Sequence, residues 1–345
     1  MRAAVLTAPG EIKIQDRKKP VLKNSRDVLL RIKAVGICGS DIHYYRRGGI
    51  SGQEVEYPFI IGHECAAEVE EIGEKVTRVK SGDRAAVDPA LSCGKCSQCR
   101  AGRPHTCRNL KFMGCPGQRE GCLQEYIIMP ETNCFVLPQH LDPAAAVLIE
   151  PLSIGIYAVR LWGNDSRDAA AAVLGSGPVG LCTLLALKKA GFSKIYMTDK
   201  IEARLKTAQR LGAFWSGNPE EKDVVSEILS EEKEGLDAVF ECCGDQDALD
   251  QGVILLKPGG SLIIIGIPET ERIVFDPHRL RRKEISISNV RRQNKGIPRA
   301  IEQIKKPGFP DKSLVTHIFS WKETDRAFEL SSEYRGGVIK AVIRM

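Results

Sequence analysis

The sequence of 345 residues lacks the long apolar runs that mark membrane-spanning segments. It contains no uninterrupted apolar stretch of about 18 residues, and residues 2–14 read as a strand hairpin rather than as a leader segment. Internal repeats and low-complexity segments are also missing. With hydrophobic content of 43% and charged content of 27%, the chain is predicted to be a cytoplasmic globular protein with no membrane partner, long enough for two domains.

The chain also lacks the basic, aromatic-rich surface that nucleic-acid binding requires. The net charge is only +6, and aromatic residues make up 6% of the sequence. No aromatic residues interleave the nearest basic cluster. That cluster consists of Arg279, Arg281, Arg282, Arg291 and Arg292. We therefore expect a small-molecule partner and no nucleic acid.

The first group of chemically active residues lies between positions 38 and 64. Cys38, Ser40 and His43 stand within six residues, and His63 and Glu64 follow. Thiolate, imidazole and carboxylate are the ligand types that zinc prefers, and a site with three protein ligands leaves a fourth position for water or substrate. Taken singly, each residue is more often an ordinary packing or surface residue. The group predicts a catalytic metal site only together with the rest of the chain.

A second metal site is predicted by four closely spaced cysteines among the twelve in the chain. Cys93, Cys96, Cys99 and Cys107 fall within fifteen residues. In a long chain without a leader segment, clustered cysteines indicate metal rather than disulfides. A ferredoxin-type cluster requires a different spacing followed by proline, and a redox pair needs only two thiols. The spacing favours the closed tetrahedral site of a structural zinc.

Short strand signals dominate the chain up to about residue 150. Residues 28–35 alternate between apolar and polar, residues 65–72 form a second half-buried pattern, and residues 84–87 follow a turn. Glycine and proline separate these segments. The pattern predicts a Greek-key-like or barrel-like β domain.

The second half begins with a strand–turn–helix pattern around a glycine motif. The apolar run at 169–174 leads directly into Gly175-Ser-Gly177-Pro-Val-Gly180, and a helical pattern follows at 181–190. A GxGxxG motif alone is weak, but this is the context that dinucleotide binding requires. Its glycines permit the tight turn and the close approach of the backbone to a pyrophosphate at the helix N-terminus.

The residue that indicates the type of dinucleotide is Asp199, which ends the next predicted strand at 194–198. An acidic side chain here accepts the ribose hydroxyls of NAD and repels the 2′-phosphate of NADP, although the nearby Lys200 and Arg204 soften that exclusion. Asp199 could also be the N-cap of the helix at 201–211. The candidate cofactor residues are Gly175, Gly177, Pro178, Val179, Gly180, Asp199, Arg204, Ile265, Gly266, Ile267, Asn289, Val290 and Arg291.

Strand and helix signals alternate from 153 to 290, which predicts a doubly wound domain. Its predicted elements include a helix at 220–232, a turn at 257–260, a strand at 261–265 and a strand at 284–290. The tail, 291–345, closes with a strand at 337–343 and is expected to return to the first domain. The predicted fold class is therefore α/β plus β, with 1–152 and 291–345 in one domain and 153–290 inserted as the other.

Together these motifs resemble the zinc-dependent medium-chain dehydrogenases, and among them the microbial polyol (sorbitol, xylitol and L-iditol) dehydrogenases. The resemblance covers essentially the whole chain. It implies a GroES-like β-rich catalytic domain, an inserted Rossmann domain, one catalytic and one structural zinc, and NAD as cofactor. It is carried by residues 36–44, 62–64, 93–107, 149–153, 175–180 and 314–317.

The resemblance also implies roles for individual residues. Cys38 and His63 are implied to bind the catalytic zinc. Glu64 is implied to be a third ligand or a residue behind the ligands, and Glu150 to bind the metal directly or through its water; the sequence does not choose between the two. Ser40 is implied to pass the substrate proton towards the cofactor ribose, with His43 as its exit to solvent.

The implied substrate is a polyol, in which a carbon bearing a secondary hydroxyl gives up a hydride to NAD while the hydroxyl loses a proton, leaving a ketose. Tyr44, Phe112 and Arg291 match positions that line the polyol pocket. Arg292 stands where the animal enzymes usually have tyrosine, which would favour an acidic or more heavily hydroxylated substrate.

Three alternatives to polyol oxidation remain open. Two lie within the same family, namely an L-threonine 3-dehydrogenase and a dehydrogenase of sugars or cyclitols. The third, a non-catalytic regulator, would not need the proton relay at Ser40 and His43. Relatives of this kind are usually oligomers built through the dinucleotide domain, so a homotetramer or homodimer is expected.

Overall fold

A computed structural model of the chain describes residues 1–50, 52–164 and 168–345 and divides it into two units. One contains Met1–Glu150 with Ile297–Met345, and the other contains Pro151–Gly296. The second boundary lies beyond the predicted position 290. Residues 291–296 belong to the inserted unit, and one contact that ties them to it is the 2.6 Å hydrogen bond from Arg160 to the carbonyl oxygen of Asn294.

The first segment, up to Ala146, consists mainly of strands. Its α-helices are α1 (Gly39–Arg47), α2 (Ser97–Arg100) and α3 (Pro143–Ala146). Its strands are β1 (Arg2–Ala8), β2 (Glu11–Asp16), β3 (Asp27–Gly36), β4 (Gly49–Ile50), β5 (Gln53–Glu54), β6 (Glu64–Ile72), β7 (Arg84–Val87), β8 (Ala90–Leu91), β9 (Lys111–Phe112), β10 (Tyr126–Pro130) and β11 (Cys134–Leu137).

The inserted unit alternates between helices and strands. Its helices are α4 (Ile149–Trp162, which begins at the boundary), α5 (Pro178–Ala190), α6 (Glu202–Arg210), α7 (Val224–Glu231), α8 (Gln246–Leu255) and α9 (Pro277–Lys283). Its strands are β12 (Ala170–Leu174), β13 (Lys194–Thr198), β14 (Trp215–Gly217), β15 (Leu236–Glu241), β16 (Leu256–Ile264) and β17 (Ser286–Asn289).

The closing segment returns to the first unit, as the sequence predicted. It contains α10 (Ile297–Ile304), α11 (Asp311–Leu314), β18 (Val315–Ser320), α12 (Thr324–Ser332) and β19 (Lys340–Arg344). Strand β19 pairs antiparallel with β3 and parallel with β18. The main sheet of this unit therefore runs β11-β7-β6-β3-β19-β18, with β10 also paired to β3. Strands β1 and β2 form the predicted hairpin.

The inserted unit has the predicted doubly wound sheet, with six parallel strands in the order β14-β13-β12-β15-β16-β17. Strand β12 is buried at every residue, which explains its continuous apolar sequence. The strand order changes direction between β12 and β15. Ligands of such sheets bind beyond the carboxyl ends of the strands at this switch point.

Two predicted boundaries in the inserted unit are wrong. The predicted turn at 257–260 lies inside β16, where the pairing with β15 jumps from Leu236↔Leu256 to Ala238↔Ser261. The glycine-rich segment therefore forms a bulge in a strand. Helix α7 begins at Val224 rather than 220, because the side chain of Asp223 caps it by accepting a hydrogen bond from the Ser226 N–H.

One stretch of the described residues, Pro143–Trp162, is long and apolar enough to cross a membrane by composition. However, 78% of its most apolar window is buried inside the fold. Burial of this extent is typical of a core helix.

Candidate active site

Helix α1 begins directly after Cys38, so this residue is its N-cap. The backbone N–H of Cys38 donates a 3.0 Å hydrogen bond to Asp41, whose carboxylate also accepts one from the Gly62 N–H at 3.1 Å. Asp41 is completely buried. Two backbone donors on one buried carboxylate hold the Cys38 segment and the His63 segment in fixed positions.

His63 is buried beside this carboxylate. Its Nδ1 lies 3.5 Å from Asp41 Oδ1. Burial lowers the pKa of His63, but the negative charges of Asp41 and Cys38 outweigh burial and raise that pKa well above its usual value. The arrangement, with a carboxylate at one ring nitrogen, is the one that orients histidine ligands in metal sites.

The next residue, Glu64, is also completely buried and is paired with Lys340, which is 1% exposed. The Lys340 ammonium donates to both carboxylate oxygens of Glu64, at 2.7 and 2.6 Å, and to the carbonyl oxygen of Ile37 at 2.9 Å. All three ammonium donors are therefore used. Lys340 compensates the charge of a carboxylate that burial alone would strongly disfavour.

The structure brings three of the predicted residues together as one group. A ligand atom of Cys38, one of His63 and one of Glu64 all lie within 4.8 Å of one another. One thiol, one imidazole and one carboxylate form a donor set that suits zinc. The local geometry therefore fits the metal that the sequence predicts.

Glu150, the fourth residue predicted for the catalytic metal site, is the second residue of α4 and is 6% exposed. Burial raises the pKa of its carboxyl to about 7, with a further increase from the charge of Glu64 and opposing effects from His63 and Lys340. A carboxyl with this pKa can hold or release a proton near neutral pH.

Helix α1 also carries the other predicted polar residues. Ser40, His43 and Tyr44 lie at positions that share one face of a helix. Tyr44 is buried, and its hydroxyl lies 3.9 Å from the Cys115 sulfur. Phe112, in β9, packs its ring against His63 with centroids 5.2 Å apart.

The four clustered cysteines come together as predicted. Their sulfur atoms lie within 4.8 Å of one another, and those of Cys96 and Cys99 are 3.6 Å apart. Backbone N–H groups of Cys99 and Arg108 lower the pKa of Cys96 to about 6. Donors aimed at the Cys96 sulfur stabilise its thiolate, the form that binds metal, whereas burial and the neighbouring sulfurs raise the pKa of Cys99 to about 11. The four sulfurs therefore fit a closed zinc site.

The glycine motif forms the turn between β12 and α5. Gly177 is the N-cap of α5 and Pro178 is its first residue. A β-carbon on Gly180 would lie 1.8 Å from the Gly175 carbonyl oxygen, so only glycine fits there. Val179 stands in the first turn of the helix, whose free N–H groups are suited to a pyrophosphate.

Asp199 follows β13, and both of its carboxylate oxygens accept backbone hydrogen bonds. One accepts from the Ser176 N–H at 2.7 Å and the other from the Ile201 N–H at 2.8 Å. The guanidinium of Arg204 lies 3.7 Å from the same carboxylate. Helix α6 is capped by Ile201, so the alternative role of Asp199 as N-cap is wrong. Asp199 instead ties the end of β13 to the glycine turn.

The remaining predicted cofactor and substrate residues lie at the ends of β16 and β17. Ile265, Gly266 and Ile267 follow β16; Ile267 is exposed. Asn289 ends β17, and Val290 donates a hydrogen bond to the Ile264 carbonyl oxygen at 2.8 Å. Arg291 is exposed, whereas Arg292 is half-buried with a left-handed backbone (φ 57°).

Two residues that the sequence did not single out, Asp41 and Lys340, complete the candidate metal site. Asp41 stands at the third position of α1, where a carboxylate that caps a helix is common, so its capping role was readable from the sequence. Lys340 is a lysine inside an apolar strand pattern. That anomaly indicates a paired charge but does not identify the partner.

Family models of known proteins match segments in both units of the chain. Residues 24–139 match the family described as the alcohol dehydrogenase GroES-like domain, and residues 178–306 match the zinc-binding dehydrogenase family. The predicted GroES-like and Rossmann domains are thus confirmed.

Full-length relatives give the same result. A sorbitol dehydrogenase of Bacillus subtilis (strain 168) is 36% identical over 99% of this chain and 97% of its own length. An L-idonate 5-dehydrogenase of Vitis vinifera is 36% identical over 97% of this chain and 92% of its own. A solved structure described as a zinc-binding dehydrogenase, from Sinorhizobium meliloti 1021 and bound to NADP, is 28% identical with a TM-score of 0.91, covering 100% of this chain and 99% of its own. The chain is therefore an oxidoreductase that belongs to the zinc-dependent medium-chain dehydrogenase family.

Proposed function

We propose that the protein oxidises a secondary hydroxyl of a polyol to a ketone, with NAD as the preferred hydride acceptor. The observation that carries this proposal is the group formed by half-buried Cys38 and buried His63 and Glu64, whose ligand atoms lie within 4.8 Å of one another. The sorbitol dehydrogenase relative supports a polyol as the substrate.

The metal would be held by Cys38, His63 and Glu64. When bound, zinc supplies Lewis acidity to the substrate hydroxyl, and NAD supplies the acceptor for the hydride. Asp41, 3.5 Å from Nδ1 of His63, would keep the imidazole oriented as a ligand, and Lys340 balances the charge of Glu64.

Proton transfer is assigned to Glu150 and α1. The single proton of the reacting hydroxyl leaves by one of two routes. It would pass on the side of Glu150, whose carboxyl has a pKa of about 7, or through Ser40 along the helix face to His43 and on to solvent. Tyr44, Phe112, Arg291 and Arg292 are proposed to contact the substrate.

The dinucleotide is proposed to bind at the switch point of the parallel sheet. Its pyrophosphate would be held at the N-terminus of α5 by Gly175, Gly177, Pro178, Val179 and Gly180. Asp199 and Arg204 would contact the adenosine ribose, where the carboxylate favours NAD. The other proposed contacts are Ile265, Gly266, Ile267, Asn289, Val290 and Arg291.

Three further features are proposed. Cys93, Cys96, Cys99 and Cys107 hold a structural zinc. The protein works in the cytoplasm, where thiols kept for metal remain reduced. It assembles as a homotetramer or homodimer through edge strand β17, which pairs on one side with β16 and is the last strand of its sheet.

A second candidate substrate class is an acidic sugar derivative. Arg292 supplies a cationic group, and one of the relatives that match the whole chain is an L-idonate 5-dehydrogenase. An aldonate would place its carboxylate against that guanidinium.

The test is the rate of NAD reduction, followed by absorbance, across polyols, L-idonate, L-threonine, aldoses and simple alcohols, repeated with NADP. Preference for a polyol with NAD, and formation of a ketose, is expected. Turnover only of L-threonine, or formation of a lactone from an aldose, would contradict the proposal.

A further inference from the structure

The loop that follows Phe112 is fixed by the side chain of Gln118. Its Oε1 accepts a hydrogen bond from the Phe112 N–H at 2.9 Å, and its Nε2 donates one to the Cys115 sulfur at 3.0 Å. A β-carbon on Gly114 would lie 2.6 Å from the Gly62 carbonyl oxygen, so the loop is pressed against the residue before His63. The loop is therefore held in place beside the candidate metal site.

A short hairpin brings a second amide to the same sulfur. The Cys115 thiol donates a hydrogen bond to Gln53 Oε1 at 3.0 Å, and the Tyr44 hydroxyl lies 3.9 Å from the sulfur. Gln53 is half-buried in β5. Within the ranges that the structure describes, its amide nitrogen donates to no other group, which leaves two N–H donors available to a ligand.

The cluster of Gln53, Cys115 and Gln118 is connected to the candidate metal site through Phe112. Phe112, whose backbone Gln118 holds, packs its ring against His63 with centroids 5.2 Å apart. An amide offers both donors and an acceptor, which matches a hydroxyl group that does the same. A site built to hydrogen-bond substrate hydroxyls rejects analogues that lack them far better than an apolar pocket does.

We propose that Gln53, Cys115 and Gln118 form a hydroxyl-binding subsite that selects long polyols over short diols. Gln53 binds a substrate hydroxyl beyond the carbon that is oxidised, and Cys115 fixes the orientation of its amide. Gln118 is a positioning residue, which holds both the thiol and Phe112. This inference rests on the proposed polyol oxidation.

The test compares D-sorbitol with 2,3-butanediol, which has a secondary hydroxyl but no further chain. In Gln53→Ala, kcat/KM for D-sorbitol should fall about tenfold, the equivalent of one neutral hydrogen bond, mainly through KM. The value for 2,3-butanediol should not change. Gln118→Ala should lower kcat/KM for both substrates, because the Phe112 N–H loses its hydrogen-bond acceptor. Gln118→Glu keeps that acceptor and should restore kcat/KM for 2,3-butanediol.

A matched control is Gln139→Ala, which removes a side-chain bond to the Gly82 carbonyl oxygen on the surface of the same unit and should leave both substrates unaffected. If Gln53→Ala lowers kcat/KM equally for both substrates, or for neither, the subsite is wrong while polyol oxidation stands. If the wild-type enzyme oxidises no polyol, both the subsite and the proposed function are wrong.

Discussion

Replacement of Lys340 by methionine tests the buried ion pair behind the candidate metal site. The ammonium, 1% exposed, donates to both oxygens of Glu64 and to the Ile37 carbonyl oxygen. Methionine keeps the length of the side chain but leaves a completely buried carboxylate without its cation. Breaking a buried pair in this way costs about 3–5 kcal/mol, a large share of a typical unfolding free energy of roughly 5–15 kcal/mol.

The assay is calorimetric unfolding of the metal-free protein, because two units need not melt together. For a unit of this size we expect the transition of the first unit to fall by roughly 6–20 °C. The double variant Lys340→Met/Glu64→Gln should recover most of the loss, since no charge is then left unpaired.

The matched control for this prediction is Lys305→Met, which breaks a pair of similar length with Glu302 at 2.6 Å. That pair lies on the surface, with side-chain exposures of 41% and 64%, and should contribute less than about 1 kcal/mol. A Lys340→Met protein that melts like the Lys305→Met control, or a double variant no more stable than the single one, would show that the buried pair does not have the assigned effect on stability.

Three further predictions concern other parts of the two units. Asp41→Asn should weaken zinc binding about 10- to 100-fold by removing the carboxylate that orients His63; chelator competition measures this, and unchanged affinity would contradict it. Gly180→Ala should destabilise the inserted unit by about 1–3 kcal/mol because its β-carbon meets a carbonyl oxygen, whereas Gly177→Ala should weaken NADH binding without lowering the melting temperature. Hydrogen bonds from the Thr77 N–H, the Arg26 guanidinium and the Arg78 N–H lower the pKa of Glu131 against the opposing effect of burial. Its stabilising effect is therefore present above pH 4.5 and is lost as the pH falls through the lowered pKa, so Glu131→Gln should show a shallower loss of stability in acid, measured by denaturant titration.

The sequence predicted the parts of the fold that local patterns determine. The buried run of β12 followed by the glycine turn identified the doubly wound unit, because few other structures place a strand, such a turn and a helix in that order. The same glycine richness misled at 257–260, where a bulge in β16 has the composition of a turn. Residue propensity alone does not distinguish a turn from a bulge, because the difference depends on how β16 pairs with β15.

In the candidate site, too, the sequence identified the residues that form a local pattern and missed a residue that depends on long-range pairing. Cys38 and His63 are recognisable as candidate metal ligands from their residue types and their spacing. Lys340 does not, because its partner Glu64 is 276 positions away and the pair forms only when β19 returns to β3. Long-range pairing of this kind depends on the tertiary fold, which no local pattern records.

The metal dependence of the reaction is measured by the rate of NAD reduction with D-sorbitol and xylitol before metal removal, after removal by a chelator, and after zinc is restored. Turnover of at least one of these polyols that disappears with the metal and returns with zinc, but does not return in Cys38→Ser, is the predicted result. Polyol oxidation that persists without metal, or in Cys38→Ser, would mean that this cysteine does not hold a zinc on which the reaction depends.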